Sequence, residues 1–389
     1  MSKADLSLFT LFPATREQVL ISRRRTFAQW SGGTPLEKYL ARDAFLEQFD
    51  HSANDNLIIW VLAPRDDPKT LDFACSCETY RRKVVVVSSE DGAPKLREAI
   101  GYGIASVYTP PAKRQHGYAS HMLNLLHWVL ADRNILSVDK FPAEWGNPPS
   151  PAHNTGDGIL SVLYSDVGPV FYSQRGPSLD RSFTGWVAQG SIMTSFQLNT
   201  TKDIAPAEES DHEWKWMSVE DNATFFEHES ERMKEDALQT SPEIGLLFTF
   251  LPKNGIALFN IQRTVCFSDD LSPSMPSQIW GVQRTDDSNS PFATWTYDIR
   301  VPPFALVVTR IRATKATFPN LYAKILEAAR KKEVEKIEIW NLSKELEGVA
   351  AELGGITASR EEHIPAVKWY GPESHDKVTW LFNEKFAWC

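Results

Sequence analysis

The residues of this chain whose types and spacing best fit a chemical task lie in the run Ala112-Lys113-Arg114-Gln115-His116-Gly117-Tyr118-Ala119. A strand-like segment precedes it, and an apolar, helix-spaced segment over 118–130 follows it. A chain passing from strand to helix through Arg-x-x-Gly-x-Ala gathers several backbone N–H groups at one point, where the positive end of the helix dipole also lies. Such a point binds an anion. Arg114 adds a fixed positive charge, and Gly117 lets a phosphate come close to the backbone. Downstream, Ser161-Val-Leu-Tyr-Ser-Asp-Val-Gly-Pro-Val-Phe-Tyr-Ser-Gln-Arg-Gly176 reads as a second strand–helix unit, with Asp166 after the strand and Tyr172 in the helix.

The elements that must hold these residues follow from periodicity and capping signals. Residues 6–12 read as a strand. A helix starts at Thr15, where Thr15 and Gln18 form a capping box, and another starts at Thr34-Pro35 and runs to about residue 49. Strands are predicted over 57–63, 73–88 and 98–108. In the 118–130 helix, Met122, Leu123, Leu126, Val129 and Leu130 share one face. Residues 135–155, rich in Pro, Asn and Gly, read as an insertion, followed by a strand over 159–164 and a short helix over 168–176. Residues 203–243 hold thirteen acidic side chains against three basic ones, with helical stretches at 214–217 and 221–238. They form either a solvated linker with surface helices or an acidic wall that attracts a cationic acceptor. Beyond them strands are expected at 255–267, 278–284, 293–300, 304–313, 336–340 and 378–382, with helices at 318–332 and 343–353. This order echoes the first part and suggests a weak internal duplication. Its strand-to-helix loop, Thr314-Lys315-Ala316-Thr317, has neither the glycine nor the arginine spacing and should not cradle a pyrophosphate.

The whole is an α/β chain with mixed sheets, divided as 1–190, an acidic linker 191–244 with helices, and 245–389. Its 389 residues suffice for two domains, and 42% apolar content supports sizeable cores. The net charge of −9 argues against nucleic acid or an anionic membrane as partner and favours cationic small molecules or basic peptides. Four cysteines (Cys75, Cys77, Cys266, Cys389) are too few and too scattered for a disulfide scaffold or a zinc site, and none lies in either motif. Cys75 and Cys77 alternate onto one face of a strand as reduced thiols. No apolar run approaches the ~20 residues needed to span a membrane, no secretory signal is evident, and the sequons at Asn199 and Asn222 read as chance matches. A reducing, cytoplasmic location is expected, with no metal.

The Arg114 loop, its strand–helix setting and the 161–176 segment together resemble the acetyl-CoA site of the GNAT N-acetyltransferases. The resemblance covers roughly residues 5–190 and implies a GNAT fold there, followed by a degenerate GNAT-like half without a cofactor loop. It implies that Arg114, Gln115, His116, Gly117, Tyr118 and Ala119 hold the pyrophosphate of acetyl-CoA, with Ser120 adding a hydroxyl. The backbone of Val107 and Tyr108 would pair with the pantetheine arm like an added strand. Asp166 falls where the family often has an Asn near the pantetheine, and Tyr172 matches the tyrosine that protonates the leaving thiolate. The stretch from Val107 to Arg114 departs from the usual pattern in being longer and in containing Pro110-Pro111. Pro169 stands in place of a common small residue.

Ser106-Val-Tyr-Thr-Pro-Pro111, Gly117-Tyr-Ala-Ser-His-Met-Leu123 and Ser161-Val-Leu-Tyr-Ser-Asp-Val-Gly168 are similar to the fungal lysine acetyltransferases of lysine catabolism. That similarity implies transfer of acetyl to the ε-amine of free L-lysine. Chemistry asks for an amine but does not select lysine. A polyamine or a protein lysine stays open, as does a non-catalytic acyl-CoA-binding protein. An ammonium of pKa ~10.4 must lose a proton before it attacks. The candidate bases are Glu98, Asp166, the carboxylate of Cys389 at the apolar Phe386-Ala-Trp-Cys end, or a water relay. His116 and His121 read as surface or packing residues. An amino-acid acceptor further needs an arginine or a helix N-terminus for its α-carboxylate, whereas a polyamine needs carboxylates.

Overall fold

The computed structural model describes residues 4–199, 214–240, 245–266, 279–285 and 290–389. The chain opens with β1 (Phe9–Pro13), α1 (Arg16–Trp30), α2 (Leu36–Leu46), β2 (Leu57–Pro64), β3 (Cys75–Glu90) and β4 (Ala93–Tyr108). It continues with α3 (Tyr118–Leu130), β5 (Gly158–Ser165), α4 (Val170–Ser173), β6 (Val187–Ala188), β7 (Ile192–Gln197), β8 (Trp214–Met217) and α5 (Val219–Gln239). Next come β9 (Leu246–Phe250), α6 (Leu258–Val265), β10 (Gly281–Arg284), β11 (Phe292–Asp298), β12 (Ala305–Arg312) and α7 (Phe318–Lys331). The last elements are β13 (Lys336–Trp340), α8 (Lys344–Glu352), β14 (Ile356–Ser359), β15 (Ile364–Trp369) and β16 (Val378–Trp380).

Local signals place the first helices. Thr15 and Gln18 close both halves of the capping box, Gln18 N–H donating to Thr15 Oγ1 at 3.3 Å and Thr15 N–H to Gln18 Oε1 at 2.9 Å. At α2 the cap position is Pro35 rather than Thr34, and no side chain caps it. The buried face of α3 (Met122, Leu123, Leu126, Val129, Leu130) packs against Trp60, Leu62 and Tyr102 of the first sheet. Cys75 and Cys77 lie in the same core, where burial pushes both thiols well above their ordinary range.

Two mixed sheets form. The first runs β1-β2-β3-β4-β5-β15-β6, with β9 on β3 and β16 on β9. The second runs β14-β7-β13-β12-β11-β10-β8. Each contains one parallel pair joined through a helix: β4 to β5 by way of α3, and β12 to β13 by way of α7. In each sheet the strand after this unit is borrowed. β15 pairs with β5 (Val162↔Val367), and β7 pairs with β13 (Ile337↔Phe196). The two borrowed strands belong to segments that also pair with each other, Val187↔Val367 in the first sheet and Thr194↔Thr357 in the second. The sheets therefore do not divide at residues 190 and 244 as the sequence suggests. Strands from beyond 245 complete the first sheet, and strands from 192–217 complete the second.

Several elements differ from the sequence expectation. Within 255–267, expected as strand, residue 267 lies outside the described residues, and residues Leu258–Val265 form α6. Its Thr264 hydroxyl meets that of Thr296 at 2.8 Å, and Thr296 donates to the Asn260 carbonyl at 2.9 Å, so tertiary contacts override local propensity. Residues 214–217, expected as helix, form edge strand β8 against β10. β7, β9, β14 and β15 had no clear alternation. β9 and β15 are buried at every position, which removes the period-two signal. Residue 278 lies outside the described residues, as do 203–213 and 241–243 of the acidic stretch.

The described acidic residues are structural in part. Glu229 of α5 is fully buried and accepts from Arg310 Nη2 at 2.9 Å, while Glu384 takes Arg310 Nη1 and accepts from the Ile311 N–H at 2.9 Å. Arg312 reaches Asp236 at 2.6 Å. Asn222 is buried in the same helix, its side chain donating to Ser218 O at 2.7 Å. Removing one partner of a buried ion pair strands the remaining charges. R310M should therefore lower the unfolding free energy by about 3–5 kcal/mol, read by urea denaturation.

Candidate active site

The loop between β4 and α3 takes the shape its sequence demands. The additional residues at Pro110-Pro111 are absorbed into a 3-10 turn over Pro111–Lys113, anchored by Lys113 Nζ on Asp72 Oδ2 at 2.7 Å. Gln115 and Gly117 then adopt positive φ, +67° and +84°, and α3 starts at Tyr118. A Cβ on Gly117 would stand 3.3 Å from Leu6 Cδ1, so the backbone there passes close to a neighbour. The first backbone bond of the helix runs from His121 N–H to Gly117 O at 3.0 Å, which leaves the N–H groups before it available to a ligand. Arg114 is exposed at the same turn, its Nε donating to Thr109 O at 3.0 Å.

Beneath the loop the two parallel strands part. The β4–β5 ladder ends at Ile104↔Leu163, although β4 runs on to Tyr108 and β5 to Ser165. β4 also carries a bulge against β3, between the pairs Glu78↔Ala105 and Ser76↔Tyr108, and Ser106 there has φ +53°. The bulge sets the Ser106 hydroxyl 2.9 Å from the Glu78 carboxylate, which also accepts from Tyr80 at 3.3 Å.

The parted strands open one cavity of about 1110 Å³ that continues from the loop into the interior. Val107, Tyr108, Arg114, Gln115, Gly117, Tyr118, Ala119, Ser120, Asp166 and Tyr172 all line it, while His116 does not. His121 is buried, with Nε2 3.3 Å from Phe9 O. Burial, reinforced by the charge of Asp166, holds the Tyr172 phenol well above its ordinary range, so it stays protonated as a donor. Burial opposes the charge on Asp166, yet His363 prevails through Nδ1 at 3.0 Å and its N–H at 2.9 Å, keeping that carboxyl below the usual range. Asp166 is thus ionised and engaged.

Glu98 is not at this site. It pairs with Val85 toward the far end of the β3–β4 hairpin, and its carboxylate, bound to Lys234 Nζ at 2.7 Å, is held low by that bond. Among the acids that line the cavity, with Asp43, Glu47, Asp166 and Asp298, is Glu78, which the sequence reading missed. Burial, with Asp43 nearby, raises its carboxyl above the ordinary range despite the Ser106 bond. A lone acid inside an otherwise buried strand, following Cys75-Ser-Cys77, was the available signal. Trp388 and Cys389 also line the cavity, with the tail fastened by Arg82 Nη1 donating to Ala387 O at 2.7 Å. The loop over 314–317, by contrast, turns inward on itself, Thr314 N–H donating to Thr317 Oγ1 at 2.9 Å and Thr317 N–H to Thr314 Oγ1 at 3.3 Å.

Comparisons with known proteins agree with this geometry. The family model described as the LYC1 GNAT-like C-terminal domain matches residues 199–389. A GCN5-related N-acetyltransferase from Anabaena variabilis ATCC 29413 superposes with a TM-score of 0.52 at 11% identity, over 93% of this chain and 73% of that one. A second, from Kribbella flavida, gives 0.50 at 13% identity, over 93% and 71%. Residues 199–389 thus match a GNAT-like family, and the chain as a whole has the fold of the GNAT N-acetyltransferases. A comparison with curated proteins finds no match. Each of the two sheets repeats a parallel strand–helix–strand unit. Among the described residues no helix is long and apolar enough to cross a membrane, and no cluster of His, Cys, Asp and Glu is arranged to hold a metal.

The cavity depends on a missing side chain. A Cβ on Gly103 of β4 would lie 2.8 Å from Cys389 Sγ. G103V should push Cys389 outward while Phe386 and Ala387, buried in the core of the first sheet, stay in place. The expected result is faster alkylation of Cys389 by iodoacetamide with thermal stability retained, read by mass spectrometry and circular dichroism.

Proposed function

We propose that this protein transfers the acetyl group of acetyl-CoA to the ε-amine of free L-lysine, in lysine catabolism. The observation that carries the reading is the continuous cavity linking the Arg114–Ser120 cradle to an interior that holds both an acid of raised pKa and two cations, Arg263 and Lys385, stacked on Trp388. The matched LYC1 description of residues 199–389 supports the same reading. The donor set fits a diphosphate: the N–H groups at the start of α3, the positive φ at Gly117 and the Arg114 guanidinium. Acetyl-CoA supplies a thioester whose acyl carbon accepts an amine.

The chain's own groups manage the protons. Glu78 takes one from the incoming ammonium, which its raised pKa suits better than an ordinary carboxylate. The N–C bond then forms as the C–S bond breaks, Tyr172 gives its phenolic proton to the departing sulfur, and the second proton that the nitrogen sheds on becoming an amide returns through water to Tyr172. Asp166 stays with His363 and steadies the end of β5. The residues Val107 and Tyr108, beyond the end of the β4–β5 ladder, are placed to run beside the pantetheine arm.

The deciding experiment measures CoA thiol release from acetyl-CoA with L-lysine, polyamines, other amino acids and a histone-tail peptide. L-lysine should be the best acceptor. Preference for a polyamine or the peptide refutes the lysine assignment, and CoA binding without turnover refutes the enzyme. G117E, which sets bulk and negative charge in the cradle, should abolish CoA binding by calorimetry. E78Q should lower kcat by about 10²–10⁴. In the wild type, activity should fall as pH drops through the raised Glu78 pKa, above the ordinary carboxylate range. The Gln variant should lose that acid limb.

A further inference from the structure

Seven basic side chains line the cavity, and most are already engaged. Arg23 and Arg42 share Asp43, at 3.6 and 2.7 Å. Lys113 holds Asp72, and Arg300 lies 3.8 Å from Asp298. Arg114 belongs to the cofactor loop. Two cations remain, Arg263 of α6 and Lys385, and among the described residues neither makes a hydrogen bond or an ion pair.

Both are instead stacked on aromatic faces. Arg263 lies over Trp388 at 4.9 Å, and Lys385 sits between Trp388 at 3.6 Å and Trp340 at 4.3 Å. Arg360 covers the other ring contact of Trp340 at 3.8 Å. The result is an alternating column of cations and indoles, and its Arg263 and Lys385 members face the cavity. Cation–π contact steadies such groups but leaves their N–H donors unused. Burial, aggravated by Arg300 and Arg42, pushes Arg263 down to about 9, and burial with Arg263 pushes Lys385 well below its ordinary range. An anion placed here would relieve both.

We propose that Arg263, with Lys385 beside it, receives the carboxylate of an amino-acid acceptor, so that the acceptor lies in the cavity with its carboxylate on the cation column and its reacting amine toward Glu78. The assignment rests on the acetyl-transfer reading for its substrate but not for its binding site. The planar guanidinium offers a bidentate fork that matches a carboxylate, which makes Arg263 the specificity-determining member of the pair. A polyamine lacks the group this corner asks for, and a lysine inside a peptide has its carboxylate in an amide bond.

Two measurements test this. The first is calorimetric binding of L-norleucine, which has the carboxylate but no ε-amine and needs no chemistry. The wild type should bind it, R263M should bind at least about 10-fold more weakly, and R263K should recover part of the loss. The second compares L-lysine with L-lysinamide as acceptors. R263M should raise the KM for L-lysine about 10- to 100-fold while leaving the KM values for L-lysinamide and acetyl-CoA unchanged. Failure of the wild type to bind norleucine, norleucine binding unchanged in R263M, or equal losses for lysine and lysinamide would overturn the assignment. Absence of thiol release with every amine would instead overturn the transfer reading, and the norleucine titration would still decide the role of Arg263.

Discussion

The structure depends on a reciprocal loan of strands. β5 cannot be covered on its second edge without β15, and β13 cannot be covered without β7. A bare edge beside the buried Val162 would expose both backbone polar groups and core, so neither sheet is complete without chain from the other part. The two crossing segments are also paired with each other in both sheets. That ties the relative position of the sheets to backbone hydrogen bonds, and the buried Arg310–Glu229–Glu384 group adds a charged tie between β12, α5 and the tail.

This arrangement explains how a second unit without a phosphate cradle still contributes to the site. The exchange brings His363, at the start of β15, to Asp166 at the end of β5. It also carries residues 385–389 across the first sheet to Gly103 and Arg82. The cavity thus has one wall from α1 and α2, a floor from β3 and β4, and a far side from α6 and the tail. Its charges differ by origin: the raised acid Glu78 comes from β3, whereas the cation column is built from residues 263, 340, 360, 385 and 388.

The loop over 112–120 was legible because it is encoded locally. A turn, a glycine and a helix start sit in consecutive residues, and the predicted helix 118–130 coincides with α3. The capping box at Thr15 is equally local. The interior of the cavity was not legible, since Glu78, Arg263 and Trp388 are far apart in sequence and meet only in the folded chain. Glu98 and Glu78 are both acids on strands of one long hairpin, so sequence does not separate them. Only the register, Glu98↔Val85 against Glu78↔Ala105, puts one at the cavity and the other beside Lys234. The borrowed strands were hidden for a related reason: fully buried strands such as β15 lose the alternation that marks a half-exposed one.

The strand loan also sets a timetable for synthesis. Residues up to Ser165 can assemble β1 to β5 as they leave the ribosome, but the strand that covers β5 ends at Trp369. At about 5–20 residues per second, the roughly 200 intervening residues take about 10–40 s to appear. Throughout that interval β5 presents an open, apolar edge of the kind that pairs with other chains. The β5 edge therefore stays open until after β14, the last strand of the second sheet, has been made, and a chaperone that shields it would have to stay that long.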